Sequence, residues 1–159
     1  SDWGLVKNNI VSSYNRLHGS KMVLRKEKRW WMKITNNFNL DEFQCKCGCK
    51  MPEFVKKNVI NLAENLQIIR NVVGRLDLTN AYRCRPHNLD VGSNDSSQHP
   101  LGKAADIKSK KLSVKELSKI IEGLIKSEEI DQGGLGLYNT FTHYDTRGIR
   151  ARWSKTITK

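Results

Sequence analysis

The chain has 159 residues, 38% of them hydrophobic, enough for one ordinary domain with a real core and too few for a two-domain enzyme. Its apolar runs are short, of the size of Val72-Val73 or Ile120-Ile121, so no segment supplies the ~20 apolar residues that cross a bilayer. Twenty-eight Lys and Arg against 16 Asp and Glu leave a net charge of +12, which points to a polyanionic partner such as nucleic acid, teichoic acid, lipopolysaccharide or an acidic membrane surface without choosing among them.

Residues 1–33 read as a basic N-terminal arm. Trp3, Val6, Ile10, Tyr14 and Leu17 recur at helical spacing up to Gly19, and a basic, aromatic run containing Trp30-Trp31 follows. Residues 1–35 carry eight basic and two acidic residues, so half of the excess charge lies in the first fifth of the chain. The stripe is expected to pack on the domain or on a neighbouring copy, or to dock on a wall polymer. Burial is the expectation for Trp30-Trp31, with stacking on sugars as the other use, and His18 is expected to be solvated.

A domain over residues 34–159 follows. Asn39-Leu-Asp-Glu42 has the cap-x-x-Glu pattern of a helix start, and Pro52 opens a helix in which Val55, Val59, Leu62, Leu66, Ile69 and Val73 recur until Gly74 ends it. Residues 76–82 alternate as a strand does, residues 104–107 read as a short strand, and Ser113 with Glu116 makes a capping box for a helix carrying Val114, Leu117, Ile121 and Leu124. Three further strands are expected over residues 134–138, 141–145 and 149–153. The class is α+β, a small antiparallel sheet with flanking helices.

Three of the four cysteines are packed into Cys45-Lys-Cys47-Gly-Cys49, and the fourth is Cys84. Zinc sites built from four cysteines usually use separated C-x2-C pairs, a pattern this spacing fits poorly. A disulfide from the turn to Cys84 is the expectation, with a bound metal or free thiols as the alternatives.

The chemistry is concentrated in Ser97-Gln-His-Pro-Leu-Gly-Lys-Ala-Ala-Asp106, where His99 and Asp106 stand seven apart with small residues between them. A zinc peptidase needs three nitrogen or oxygen ligands and one open position, and the strand bearing His143 offers the third ligand. Two His and one Asp would complete the set.

These residues belong to a longer series of motifs. The pattern S-x-H-x-x-G-x-A-x-D falls at Ser97, His99, Gly102, Ala104 and Asp106; Asn80-Ala-Tyr-Arg83-Cys84 and Pro86-His-Asn88 with Gly92 precede it; and Gly133-Gly-Leu-Gly136 leads to His143-Tyr-Asp145-Thr-Arg147-Gly148. From about Met32 to Trp153 the chain resembles the LAS zinc peptidases, which include D-Ala-D-Ala carboxypeptidases and dipeptidases, L-alanyl-D-glutamate endopeptidases and the hedgehog signalling domain. The resemblance implies that fold, one zinc per chain held by His99, Asp106 and His143, and a substrate-binding Arg83. Many relatives carry an acid three residues before the last His ligand, where this chain has Thr140. Asp145 is the replacement, because residues i and i+2 of a strand share a face; a salt bridge to Arg147 or Arg83 is its structural alternative, and Asp95 and Asp131 are outside candidates. Ser97 is expected to orient the metal site or meet substrate. His87 would contact substrate or brace its own loop.

The expected function is a zinc-dependent peptidoglycan peptidase cutting beside a D-amino acid in a stem peptide or cross-link. A basic chain with no evident signal or wall-binding domain suits a phage lysin or virion-associated lysin, or an exported protein acting in the cell wall or periplasm, with anionic wall polymers met through the arm and other virion proteins as possible partners. A catalytically inactive zinc-containing wall-binding or structural module is the alternative. Specific nucleic-acid binding is not expected, since no reader motif appears.

Overall fold

The computed structural model describes residues 33–157. The expected arm, with its Trp3-to-Leu17 stripe, His18 and Trp30-Trp31, lies outside the described residues apart from Lys33.

Helix α1 (Glu53–Val73) begins directly after Pro52 and stops at Gly74, and its buried side chains include the whole stripe from Val55 to Val73. Each such side chain, once removed from water, contributes ~1.5–3 kcal/mol before the cost of ordering it. Helix α2 (Arg85–Asp90) is short and carries a single large apolar residue, Leu89, which is exposed. That composition has no apolar periodicity to read, and the sequence gives no warning of this helix. Helix α3 (Val114–Lys126) starts at the expected capping box: the Glu116 N–H donates to Ser113 Oγ at 3.2 Å and the Ser113 N–H donates to Glu116 Oε2 at 2.8 Å. Leu117, Ile121, Leu124 and Ile125 form its buried face. The Asn39–Glu42 signal yields only one 3-10 turn, Leu40–Phe43, before the cysteine-bearing segment takes over.

Five strands build one sheet: β1 (Leu76–Asn80), β2 (Ala104–Ser109), β3 (Gly134–Tyr138), β4 (Thr142–Asp145) and β5 (Ala151–Lys155), in the order β1-β2-β4-β3-β5. Three pairings are antiparallel, while β5 joins the edge parallel to β3. A parallel partner needs a crossover, and β4 with its flanking turns serves as one. The β1–β2 ladder slips between Leu78 and Asn80, a bulge that leaves Thr79 out and sets Asn80 opposite Asp106. The core lies between the sheet and the helices, with Phe38, Phe43, Met51, Ile107 and Tyr144 almost completely buried among the α1 and α3 side chains.

The disulfide expected between the cysteine turn and Cys84 is not formed, and all four thiols are free. Cys84 Sγ stands 3.8 Å from Cys45 Sγ and 3.5 Å from Cys47 Sγ, whereas a bonded pair lies at about 2.0 Å. The tight turn instead gathers its three sulfurs around the fourth, with all four within 4.8 Å of one another. Among the described residues no helix is long and apolar enough to cross a membrane.

Candidate active site

One row of residues crosses the whole sheet. Asn80 of β1 pairs with Asp106 of β2, Asp106 with His143 of β4, His143 with Gly136 of β3, and Gly136 with Trp153 of β5. Directly opposed residues share a face with Cβ atoms ~4.5–5.5 Å apart, so register alone brings Asp106 and His143 together. Gly136 leaves the space that the Trp153 indole fills, since a Cβ there would run into the ring. The other four residues of the row line one cavity of about 490 Å³.

His99 reaches the row from a separate 3-10 turn, His99–Leu101, that ends on Gly102 with φ +71. A Cβ on Gly102 would stand 2.7 Å from Val55 Cγ1, and Asn58 Nδ2 donates to Leu101 O at 2.8 Å. The glycine of the motif is therefore what lets the His99 turn sit against α1.

His99, Asp106 and His143 are 3%, 5% and 6% exposed, and their ligating atoms lie within 4.8 Å of one another. His99 Nδ1 stands 2.6 Å from Ala81 O; a carbonyl can only accept, so the proton is on Nδ1 and the bare Nε2 faces Asp106 Oδ1 at 3.5 Å. His143 Nε2 donates to Asp145 Oδ2 at 2.7 Å, and its Nδ1 faces Asp106 Oδ1 at 3.2 Å. Three tetrahedral zinc ligands at bond lengths of 2.0–2.1 Å stand ~3.4 Å apart, close to both separations. Each imidazole has its far nitrogen held by a carbonyl or a carboxylate, the arrangement that fixes the tautomer of a metal-binding histidine. These three residues fit a zinc ion, and all three line the cavity.

Asp145 stands behind His143 and is fully buried. Besides the His143 contact, it accepts hydrogen bonds from the Gly134 N–H at 2.8 Å and from the Arg147 N–H, Nε and Nη2 at 3.2, 2.8 and 2.7 Å. Arg147 in turn lies over the Trp153 ring, 5.4 Å from its centroid. Burial opposes charge on Asp145, yet hydrogen bonds from Arg147, His143 and Gly134 outweigh it and hold the carboxyl well below the usual range. Burial opposes charge on Asp106 as well, yet the influence of its His143 and His99 neighbours outweighs it and holds that carboxyl down. Burial disfavours a charged His143, but its bonds to Asp106 and Asp145 raise its affinity for a proton.

Arg83 lines the cavity with its Nε buried and without a hydrogen-bond partner. Burial, against the attraction of Asp106, lowers its pKa. Opposite it an aromatic wall forms: Trp153 Nε1 donates to Tyr138 Oη at 3.0 Å, and Tyr138 stacks on Phe141 with centroids 4.4 Å apart. The loop over residues 91–98 closes another side, held by buried Asn88, which accepts from the Ser93 N–H and donates to Asn94 O. Ser97 lines the cavity and its Oγ accepts the His99 N–H at 3.3 Å.

The remaining candidates lie elsewhere. His87, on α2, is not among the residues that line this cavity. Asp95 lines a smaller neighbouring cavity, Asp131 accepts from Asn61 and Asn65 of α1, and Thr140 is on an exposed turn. The sequence reading missed Asn80, Tyr138, Phe141 and Trp153 as cavity walls. Their only signal was the strand register, which single-strand alternation does not encode.

The family described as Peptidase M15 matches residues 36–145, more than half of the chain and all three members of the His/Asp/His cluster. No curated protein matches it.

Proposed function

The chain belongs to the Peptidase M15 family, and from that premise we propose a zinc-dependent peptidase that hydrolyses the peptide part of peptidoglycan beside a D-amino acid, with His99, Asp106 and His143 as the metal ligands. The observation that carries this reading is the mutual orientation of the three side chains: bare imidazole nitrogens and a carboxylate oxygen converge at zinc-ligand separations on a cavity floor, with both far nitrogens tied down.

Bound there, zinc supplies a Lewis acid that polarises the scissile carbonyl and acidifies water. The chain's own residues do the rest. Arg83 lines the cavity with its Nε unpaired, and its guanidinium suits a substrate carboxylate or the negative charge that grows on the carbonyl oxygen. Asp145 acts as a positioning residue: it holds the His143 proton at Nε2 and so keeps Nδ1 free. Tyr138 accepts the Trp153 Nε1–H, which leaves its own O–H to donate toward the leaving amine. The Trp153–Tyr138–Phe141 wall keeps water from one side of the reacting bond.

A second reading, a module that binds zinc and wall peptides without turnover, is favoured by one observation: among the described residues that line the cavity, Asp106 is the sole carboxylate, so none of the others offers a second one as a base. Purified muropeptides separate these readings. Release of a free terminal D-amino acid assigns carboxypeptidase action, an internal cut assigns endopeptidase action, and retained but intact peptides assign the binding module. Action at the cell wall by a lysin, virion-associated or exported, is part of the proposal and is supported by the +12 charge.

A further inference from the structure

The peptidase reading makes no use of the four cysteines, yet they form a second group of metal-binding atoms. Cys45, Cys47, Cys49 and Cys84 bring their sulfurs within 4.8 Å of one another. Cys45 and Cys47 Sγ are 3.2 Å apart, and Cys84 Sγ is 3.5 Å from Cys47 Sγ and 3.8 Å from Cys45 Sγ. A tetrahedral zinc ion with Zn–S bonds of ~2.3 Å spaces its sulfurs ~3.8 Å apart, and a disulfide spaces them about 2.0 Å apart. The observed separations of 3.2–3.8 Å lie nearer the metal spacing than the disulfide length, and all four thiols are free. The Cys84 N–H also donates to Cys45 Sγ at 3.4 Å, a backbone contact of the kind that supports a thiolate ligand.

We propose that Cys45, Cys47, Cys49 and Cys84 hold one structural zinc ion, separate from the His/Asp/His site. Four sulfurs fill a tetrahedral shell and leave no open position for water or substrate, the mark of a structural rather than a catalytic centre. Its place in the fold gives it a task. Cys84 directly follows Arg83, while the other three cysteines follow the Leu40–Phe43 turn. The ion therefore ties that segment to the strand exit that carries Arg83, reinforcing the backbone bond from the Tyr82 N–H to Phe43 O at 3.1 Å.

The test uses the full chain, purified with zinc under reducing conditions. His99→Ala disables the histidine site and isolates the sulfur site. The His99→Ala chain is expected to keep one zinc, to lose it when Cys47→Ser is added, and to show thiolate-to-metal charge-transfer absorption when loaded with cobalt. Zinc-free His99→Ala, or zinc content that Cys47→Ser leaves unchanged, overturns the proposal. Should the cysteine variant fail to fold, alkylation of the wild-type thiols decides: protection by zinc that a chelator abolishes supports the site, and equal labelling with and without zinc overturns it.

Discussion

Replacing Asp145 by Asn tests how the histidine site is held in shape. Asp145 receives five hydrogen bonds, three at Oδ1 and two at Oδ2. An asparagine retains one carbonyl oxygen, best used at the Oδ1 position with its three donors, and puts an NH2 group where Oδ2 faced Arg147 Nη2 and His143 Nε2, each at 2.7 Å. The guanidinium cannot give up a proton, but the imidazole can move its own. His143 then carries its proton on Nδ1, the nitrogen that faces Asp106, and that nitrogen no longer ligates. Loss of an outer hydrogen-bond partner of this type typically costs ~10–100-fold in metal affinity. Removing one partner of a buried charged pair costs ~3–5 kcal/mol, and because the amide keeps the Oδ1 bonds the low end of that range is expected. Competition for zinc against a chromophoric chelator measures the first effect, and urea unfolding of the same protein measures the second. Wild-type zinc affinity combined with lost turnover would refute the positioning role and make Asp145 a proton carrier in its own right.

Three further outcomes follow from the same geometry. Arg83→Lys keeps a positive charge but loses the planar two-pronged donor, so kcat/KM on a stem peptide should fall, toward the ~10²–10³-fold typical of a lost transition-state donor, while zinc content stays unchanged; normal kcat/KM would remove Arg83 from the site. Gly136→Ala drives a Cβ into the Trp153 indole, and thermal unfolding should report ~1–3 kcal/mol of overpacking together with reduced turnover; an unchanged melting temperature would contradict the packing of the row. Glu122, between Arg152 and Arg150, has a carboxyl lowered from the ordinary 4.5 to about 2, chiefly by hydrogen bonds from Arg152 against burial. Its folded pKa is depressed, so the stability it adds is present above about 4.5 and is lost as pH falls toward 2; Glu122→Gln should cost about 1 kcal/mol at pH 7, and urea midpoints of the two proteins should converge at the acid end.

The sequence carries the helices well wherever periodicity and caps coincide. The Val55-to-Val73 stripe and the Ser113/Glu116 box each specify their helix without help from tertiary structure. The convergence of His99, Asp106 and His143 is legible because a turn glycine and two strands lie within recognisable motifs. What is not legible depends on register and crowding. The bulge at Thr79 decides that Asn80 faces the cavity, and only the pairing of β3 with both β4 and β5 sets Trp153 beside His143, with ring centroids 5.0 Å apart. The i, i+2 rule correctly puts Asp145 on the His143 face, but it does not reveal that Arg147 and the Gly134 N–H enclose the carboxylate away from the cavity. The cysteine spacing predicts a disulfide that is not formed, because it does not show how alternate residues on a tight turn and the distant Cys84 arrange their sulfurs.

The central claim is zinc-dependent hydrolysis of peptidoglycan peptides at the His99/Asp106/His143 site. Its most direct test is digestion of purified wall material by the native, chelated and zinc-restored protein, with His143→Ala alongside and the released fragments weighed by mass spectrometry. The account predicts stem-peptide fragments from the native and restored protein, and none after chelation or from His143→Ala. Undiminished fragment release after chelation, or intact wall in the presence of fully zinc-loaded protein, would contradict it.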